Sequence, residues 1–132
     1  MEDRDDTSVA LVRGDEARVV AQFSAWLQDA GWQVSTEVDF CDVVATRGGQ
    51  TLYAEAKGRT TSPGLDVDTM YGQLLRRMLP QVGEDVRYAV VVPQAARTHA
   101  LRVPEAIRAR LNVDVYVVSD EGSVEAVTSP HV

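Results

Sequence analysis

Apolar residues recur along this chain with two periods. Between residues 15 and 30, Val20, Phe23 and Leu27 return at spacings of three and four, with Trp26 beside them. That spacing predicts a helix, with Asp15 placed to cap its start and Gly31 just past its end. Residues 7–13 (TSVALVR) fit either a short strand or a lead-in to that helix. Residues 31–38 (GWQVSTEV) and 41–46 (CDVVAT) predict two strands. Arg47-Gly48-Gly49-Gln50 predicts a hairpin turn whose glycines supply positive φ. Residues 51–57 (TLYAEAK) predict the returning third strand. Turn and breaker residues fill 58–68, which predicts a loop. Tyr71, Leu74, Leu75, Met78 and Leu79 form an apolar stripe, so a second helix is expected over 67–79, closed by Pro80 and Gly83. The continuous apolar run 86–93 (VRYAVVVP) predicts a strand buried on both faces. Residues 95–111 read as helix interrupted near Pro104, which can open a second helical piece in its first turn. Residues 113–119 predict a further strand, Asp120-Glu121-Gly122 a turn, and 123–127 a segment pairing back. A strand meander followed by helical crossovers implies an α/β fold with a mixed central sheet flanked by helices.

Composition narrows the class. At 132 residues the chain has room for one ordinary hydrophobic core. Residues 1–13 are read as an acidic, flexible segment and 14–132 as a single domain. No apolar run approaches the roughly 18 residues of a membrane span. MEDRDD lacks the basic-then-apolar pattern of a signal peptide, so a cytoplasmic protein with no membrane partner is expected. The single cysteine, Cys41, excludes an internal disulfide and a cysteine-based zinc site. The net charge of −7 argues against a general nucleic-acid binder, because phosphate contacts want clustered positive charge. Arginines are nevertheless interleaved through the chain, with a pair at Arg76 and Arg77, so a locally basic face remains open. Among thirteen basic residues only Lys57 is a lysine.

The candidate chemistry gathers around that lysine. Alternate residues of a strand share a face, so Tyr53, Glu55 and Lys57 point one way. If residues 47–50 form a hairpin, Cys41 and Asp42 come level with about Glu55 and Ala56. Two carboxylates and one ammonium then meet at one sheet end. Mg²⁺ is usually held by one or two carboxylates plus water and substrate phosphate. A lysine beside it can orient or help deprotonate water, or steady developing negative charge. The pKa of a lysine can be tuned by its surroundings, and that of an arginine cannot.

Asp42, twelve intervening residues and then Glu55-Ala56-Lys57 resemble the PD-(D/E)XK nuclease superfamily. The context is similar too: Val43-Val44 after the acid, a glycine turn, then an apolar strand ending in E-x-K and Gly58. The family's proline before the first acid is not matched, since Cys41 stands there. The resemblance covers roughly residues 14–92 and implies a restriction-endonuclease-like αβββαβ core. It implies a Mg²⁺-dependent endonuclease acting on DNA, of restriction, repair or Holliday-junction-resolving type, with Mn²⁺ able to substitute. It also implies a homodimer, or a partner protein that supplies DNA targeting. Asp42, Glu55 and Lys57 become the expected catalytic residues. An acid on the first helix, here Glu16, joins Asp42 and Glu55 at the metal, and Gln73 on the following helix joins the catalytic group. Arg59, Arg76 and Arg77 are the candidates to meet phosphates.

Blander readings stand beside these. Glu55 and Lys57 could form a surface ion pair worth about 0–1 kcal/mol. Glu16 could be an acid favoured by the helix dipole alone. Gln73 and the arginines could simply be solvated. Asp39 could replace Asp42 if the register differs. Cys41, His99 and His131 are read as structural or surface residues, and residues 58–64 hold no phosphate-loop pattern. The non-catalytic alternative is a nuclease-fold module that binds or assembles with a partner protein.

Overall fold

In the computed structural model of the chain, residues 2–38, 41–78 and 85–127 are described, with side chains from residue 15 onward. Asp39, His131 and the helix end expected at Leu79, Pro80 and Gly83 lie outside them. The elements run α1 (Glu2–Asp29), β1 (Gln33–Val38), β2 (Cys41–Arg47), β3 (Gln50–Ala56), α2 (Pro63–Arg77) and β4 (Val86–Pro93). A 3-10 turn (Gln94–Ala96), α3 (Arg97–Ala100), α4 (Glu105–Leu111), β5 (Val113–Val118) and β6 (Val124–Val127) follow. The first six elements keep the expected αβββαβ order.

The starts of α1 and α2 differ from expectation. The segment read as flexible is helical from Glu2 onward. Asp15 is therefore inside α1 and caps nothing. α2 starts at Pro63, four residues before the expected start. A proline in the first helical turn sacrifices no hydrogen bond, so Pro63 opens the helix here and does not break it. Further on, Pro104 precedes α4 as its N-cap, and Asn112 closes α4 in the left-handed region at φ 57°.

The six strands form one sheet in the order β1-β2-β3-β4-β5-β6. β1, β2 and β3 are an antiparallel meander whose second turn carries Gly48 and Gly49 at φ 55° and 85°. β4 runs parallel to β3, and β5 parallel to β4, while β6 returns antiparallel. Parallel neighbours need crossovers, and crossovers are right-handed. Because β3, β4 and β5 succeed one another in one direction, both crossovers fall on the same face.

The core therefore has two halves. On one face Val19, Phe23 and Leu27 of α1 pack on Val43, Ala45, Leu52, Ala54 and Val91. On the other, Val67, Met70 and Leu74 of α2 pack with Tyr88, Val90, Val92 and Val115. β4 is buried on both faces, as its unbroken apolar run predicts. Asp114 of β5 is 7% exposed, and both its oxygens accept from Arg87 of β4 at 2.7 Å, so this buried charge is matched. Among the described residues no helix is long and apolar enough to cross a membrane.

Candidate active site

The regular β2–β3 ladder ends at the pair Val43 and Ala54. One step further, a backbone acceptor is replaced by a side chain. The Ala56 N–H donates to Asp42 Oδ2 at 2.8 Å. The Cys41 thiol donates to the carbonyls of Val43 and Ala54, each at 3.4 Å. β2 thus parts from β3 just where Asp42 comes level with Glu55, and its carboxylate folds onto the end of β3.

Glu55 is 3% exposed, an unusual burial for a carboxylate. Arg77 Nε from the last turn of α2 donates to its Oε1 at 2.6 Å. Burial pushes the Glu55 carboxyl above the usual range, the Arg77 hydrogen bond pulls it back, and the Asp42 charge pushes it up again; the net direction is up. The Cys41 thiol is also raised, by burial first and then by the charge of Glu55.

Lys57 follows β3 directly, and its Nζ lies 3.7 Å from Glu16 Oε1, with both side chains about two-fifths exposed (37% and 41%). Burial raises the Glu16 carboxyl, the Lys57 charge lowers it, and the Asp42 charge raises it; the net direction is up. Asp42 therefore lies within electrostatic range of both Glu55 and Glu16. The next residue, Gly58, explains how α1 comes so close. A Cβ there would stand 2.3 Å from the Glu16 nitrogen and 2.6 Å from the Asp15 carbonyl carbon. The Arg59 N–H then donates to Asp15, tying the exit of β3 to α1 a second time.

The remaining expected residues are placed differently. Gln73 and Arg76 are exposed on α2. No hydrogen bond among the described residues joins Gln73 to Asp42, Glu55 or Lys57. Arg77, expected at a phosphate-binding face, is engaged with Glu55. Arg59 reaches an exposed ion pair with Asp120 at 3.3 Å. The role of Arg77 was missed, although a signal for it exists in the sequence. Positions 67, 70, 74 and 77 fall on one helical face, and the first three are buried. Arg77 continues the core-facing stripe, whereas Gln73 and Arg76 do not.

Two clefts flank the Asp42–Glu55 pair. One, of about 460 Å³, is bounded by α1 and lined by Glu16, Ser24, Thr36, Glu37 and Asp42. Glu37 there adopts φ 55°, a left-handed conformation uncommon for a glutamate. The other, of about 440 Å³, lies on the α2 face. Among the described residues no group of three or more His, Cys, Asp or Glu side chains stands together as a metal cluster. Two adjacent carboxylates suit a hard divalent cation that completes its shell with water and phosphate. They do not suit a structural metal, which takes its whole ligand set from the protein.

No protein-family model matches the chain, and no curated protein matches it in sequence. Solved structures do match in fold. An fdxN element excision controlling factor protein from Anabaena variabilis superposes with a TM-score of 0.59 at 20% identity, covering 85% of this chain and 99% of that one. An XisH family protein from Nostoc punctiforme PCC 73102 gives 0.56 at 18% identity, covering 84% and 99%. The likeness is in keeping with the mixed six-stranded sheet and flanking helices of this chain. At these identities the likeness is one of fold.

Proposed function

We propose that this chain is a divalent-metal-dependent nuclease that hydrolyses DNA phosphodiester bonds. The observation that carries this reading is the meeting of Asp42 and Glu55 where β2 parts from β3, with Lys57 and Glu16 at the same strand end. Asp42 and Glu55 are the residues to hold Mg²⁺, or Mn²⁺ in its place, with Glu16 as the neighbouring acid. A metal bound there supplies a Lewis acid for a phosphoryl oxygen and lowers the pKa of a water.

The other groups have roles of their own. Lys57 orients the attacking water or steadies charge developing on the phosphate oxygens. Glu16 holds the ammonium at that strand end. Arg77 favours the ionised form of the buried Glu55, since a buried carboxylate without a partner takes up a proton more readily. Arg76 is the exposed arginine nearest the site on α2 and is the one to meet phosphate. Gln73 is left out of the proposed site. A homodimer or a targeting partner remains the way for a chain of net charge −7 to gain affinity for duplex.

A second reading is a non-catalytic module that controls excision through a partner protein. Two observations favour it: the Arg77–Glu55 pair at 2.6 Å already neutralises one expected metal ligand, and a protein of similar fold is an excision controlling factor. Cleavage separates the two. Plasmid, single-stranded and branched DNA would be incubated with Mg²⁺, Mn²⁺ or chelator. The nuclease reading expects metal-dependent cleavage that Glu55→Ala reduces by about a hundredfold or more. Absence of cutting on all three substrates, or cutting that Glu55→Ala leaves intact, favours the module.

A further inference from the structure

Val44, Tyr53 and Tyr88 stand side by side across β2, β3 and β4. Tyr53 and Tyr88 belong to the α2-side core, and Val44, directly opposite Tyr53, shares their face. α2 lies mainly over β3 and β4 and ends at Arg77. Over β2 the row therefore opens into the 440 Å³ cleft. Val38, 37% exposed, and Arg76 and Arg77 also line it. The volume lies in the range of small-ligand sites, roughly 300–1,000 Å³. Tyr53 stacks on Tyr88 with ring centroids 5.9 Å apart and planes at 25°, so its ring is held by a fully buried neighbour.

Position and charge say what would fit. Tyr53 precedes Glu55 by two residues on the same face, about 7 Å along the strand. Arg77 lines the cleft and also grips Glu55, so the cleft adjoins the candidate hydrolytic carboxylates. The net charge of −7 opposes binding driven by long runs of phosphate contacts. Stacking of a base on an aromatic ring needs no net positive charge and tolerates any base. A small cleft lined by tyrosine rings and arginines matches that chemistry.

We propose that this cleft is a subsite for one unpaired nucleotide, whose base lies against Tyr53 and Val44 and whose phosphate meets Arg76. The inference rests on the hydrolytic reading of Asp42 and Glu55 and assigns its substrate class: single-stranded or locally unpaired nucleic acid. A base inside a continuous duplex is stacked on both faces and reaches the cleft only by leaving the stack.

The test is fluorescence anisotropy in chelator, where nothing is cut. The probes are a short fluorescein-labelled single strand and the same sequence as duplex. The single strand is expected to bind at least about tenfold more tightly. Tyr53→Ala should weaken single-strand binding by about 5- to 150-fold, the worth of one stacked base, while Tyr53→Phe keeps it. Arg76→Ala should weaken binding and lower the salt slope by about one. Val38→Glu adds a negative charge at an exposed lining position without touching the core and should also weaken binding, so the test survives a Tyr53→Ala protein that does not fold. Equal affinity for the two probes, or variants that all bind like wild type, overturns the subsite. Metal-dependent cleavage alongside that result would leave the hydrolytic reading intact. Tyr53-dependent single-strand binding without any cleavage would sink the hydrolytic reading alone and keep the subsite.

Discussion

Lys57 is the only lysine in the chain, and its neighbours are the acids of the candidate site. An ammonium is compact and its charge is adjustable, while a guanidinium is broad and always charged. Lys57→Arg keeps the positive charge beside Glu16 but loses that compactness. Metal-dependent cleavage should fall at least about tenfold, as for loss of a proton-handling or charge-steadying group. An undiminished single-turnover rate would remove Lys57 from the mechanism. Asp15 is a different case, bearing on stability. Burial pushes its carboxyl up, but hydrogen bonds from the Arg59 N–H and Arg18 outweigh that and leave it lowered. A lowered folded-state pKa means the stabilisation is complete above the ordinary aspartate value of about 3.9 and is lost as pH falls through the folded value. Urea unfolding should find Asp15→Asn less stable by about 1–2 kcal/mol at neutral pH, with the gap closing in acid. A gap that persists or widens in acid would contradict this. At this scale the sequence was legible where strand alternation applied. It placed Asp42, Glu55 and Lys57 at one sheet end. The contact of Arg77 with Glu55 was less legible, because a pair of adjacent arginines reads as one surface feature. Helical geometry splits the pair, sending Arg77 onto the buried stripe of Leu74 and leaving Arg76 in solvent.

The elements meet through a few close approaches. Gly58 is the sharpest of them, because any side chain there runs into the backbone of α1 at Asp15 and Glu16. Backbone cannot move aside as a flexible side-chain tip can. Gly58→Ala should therefore cost about 1–3 kcal/mol or more and loosen the Glu16–Lys57 pairing along with the fold. A thermal midpoint equal to wild type would show that α1 does not sit where the fold places it. The glycine after E-x-K was visible in the sequence as part of a motif. Its reason, the contact with α1, was not, because that contact joins residues about forty positions apart. The start of α2 was hidden for another reason. Pro63 and Gly64 carry breaker chemistry in most contexts, yet a proline at the first turn of a helix is compatible with it. The strands were easier to read, because burial on one face or two writes a period directly into the chain. The β4 run, buried on both faces, and the alternation of β2 are the plainest cases.

The whole molecule places its candidate chemistry where antiparallel pairing gives way. β3 is antiparallel to β2 and parallel to β4, so the end of β3 is shared by the meander, α1 and the first crossover helix. A side chain at that end can be reached by groups from three elements, as Glu55 is by Asp42 and Arg77, and Lys57 is by Glu16. The solved structures of similar fold are 20% and 18% identical, which leaves the chemistry to be argued from the side chains of this chain. The acidic overall charge makes metal binding a cleaner first question than DNA binding, because it needs no partner or special substrate. Isothermal titration of the metal-free protein with Mn²⁺ asks it directly. Saturable binding is expected, which Asp42→Ala and Glu55→Ala each weaken at least about tenfold and Gln73→Ala leaves unchanged. No binding by the folded wild type, or binding that survives both carboxylate substitutions, would contradict it.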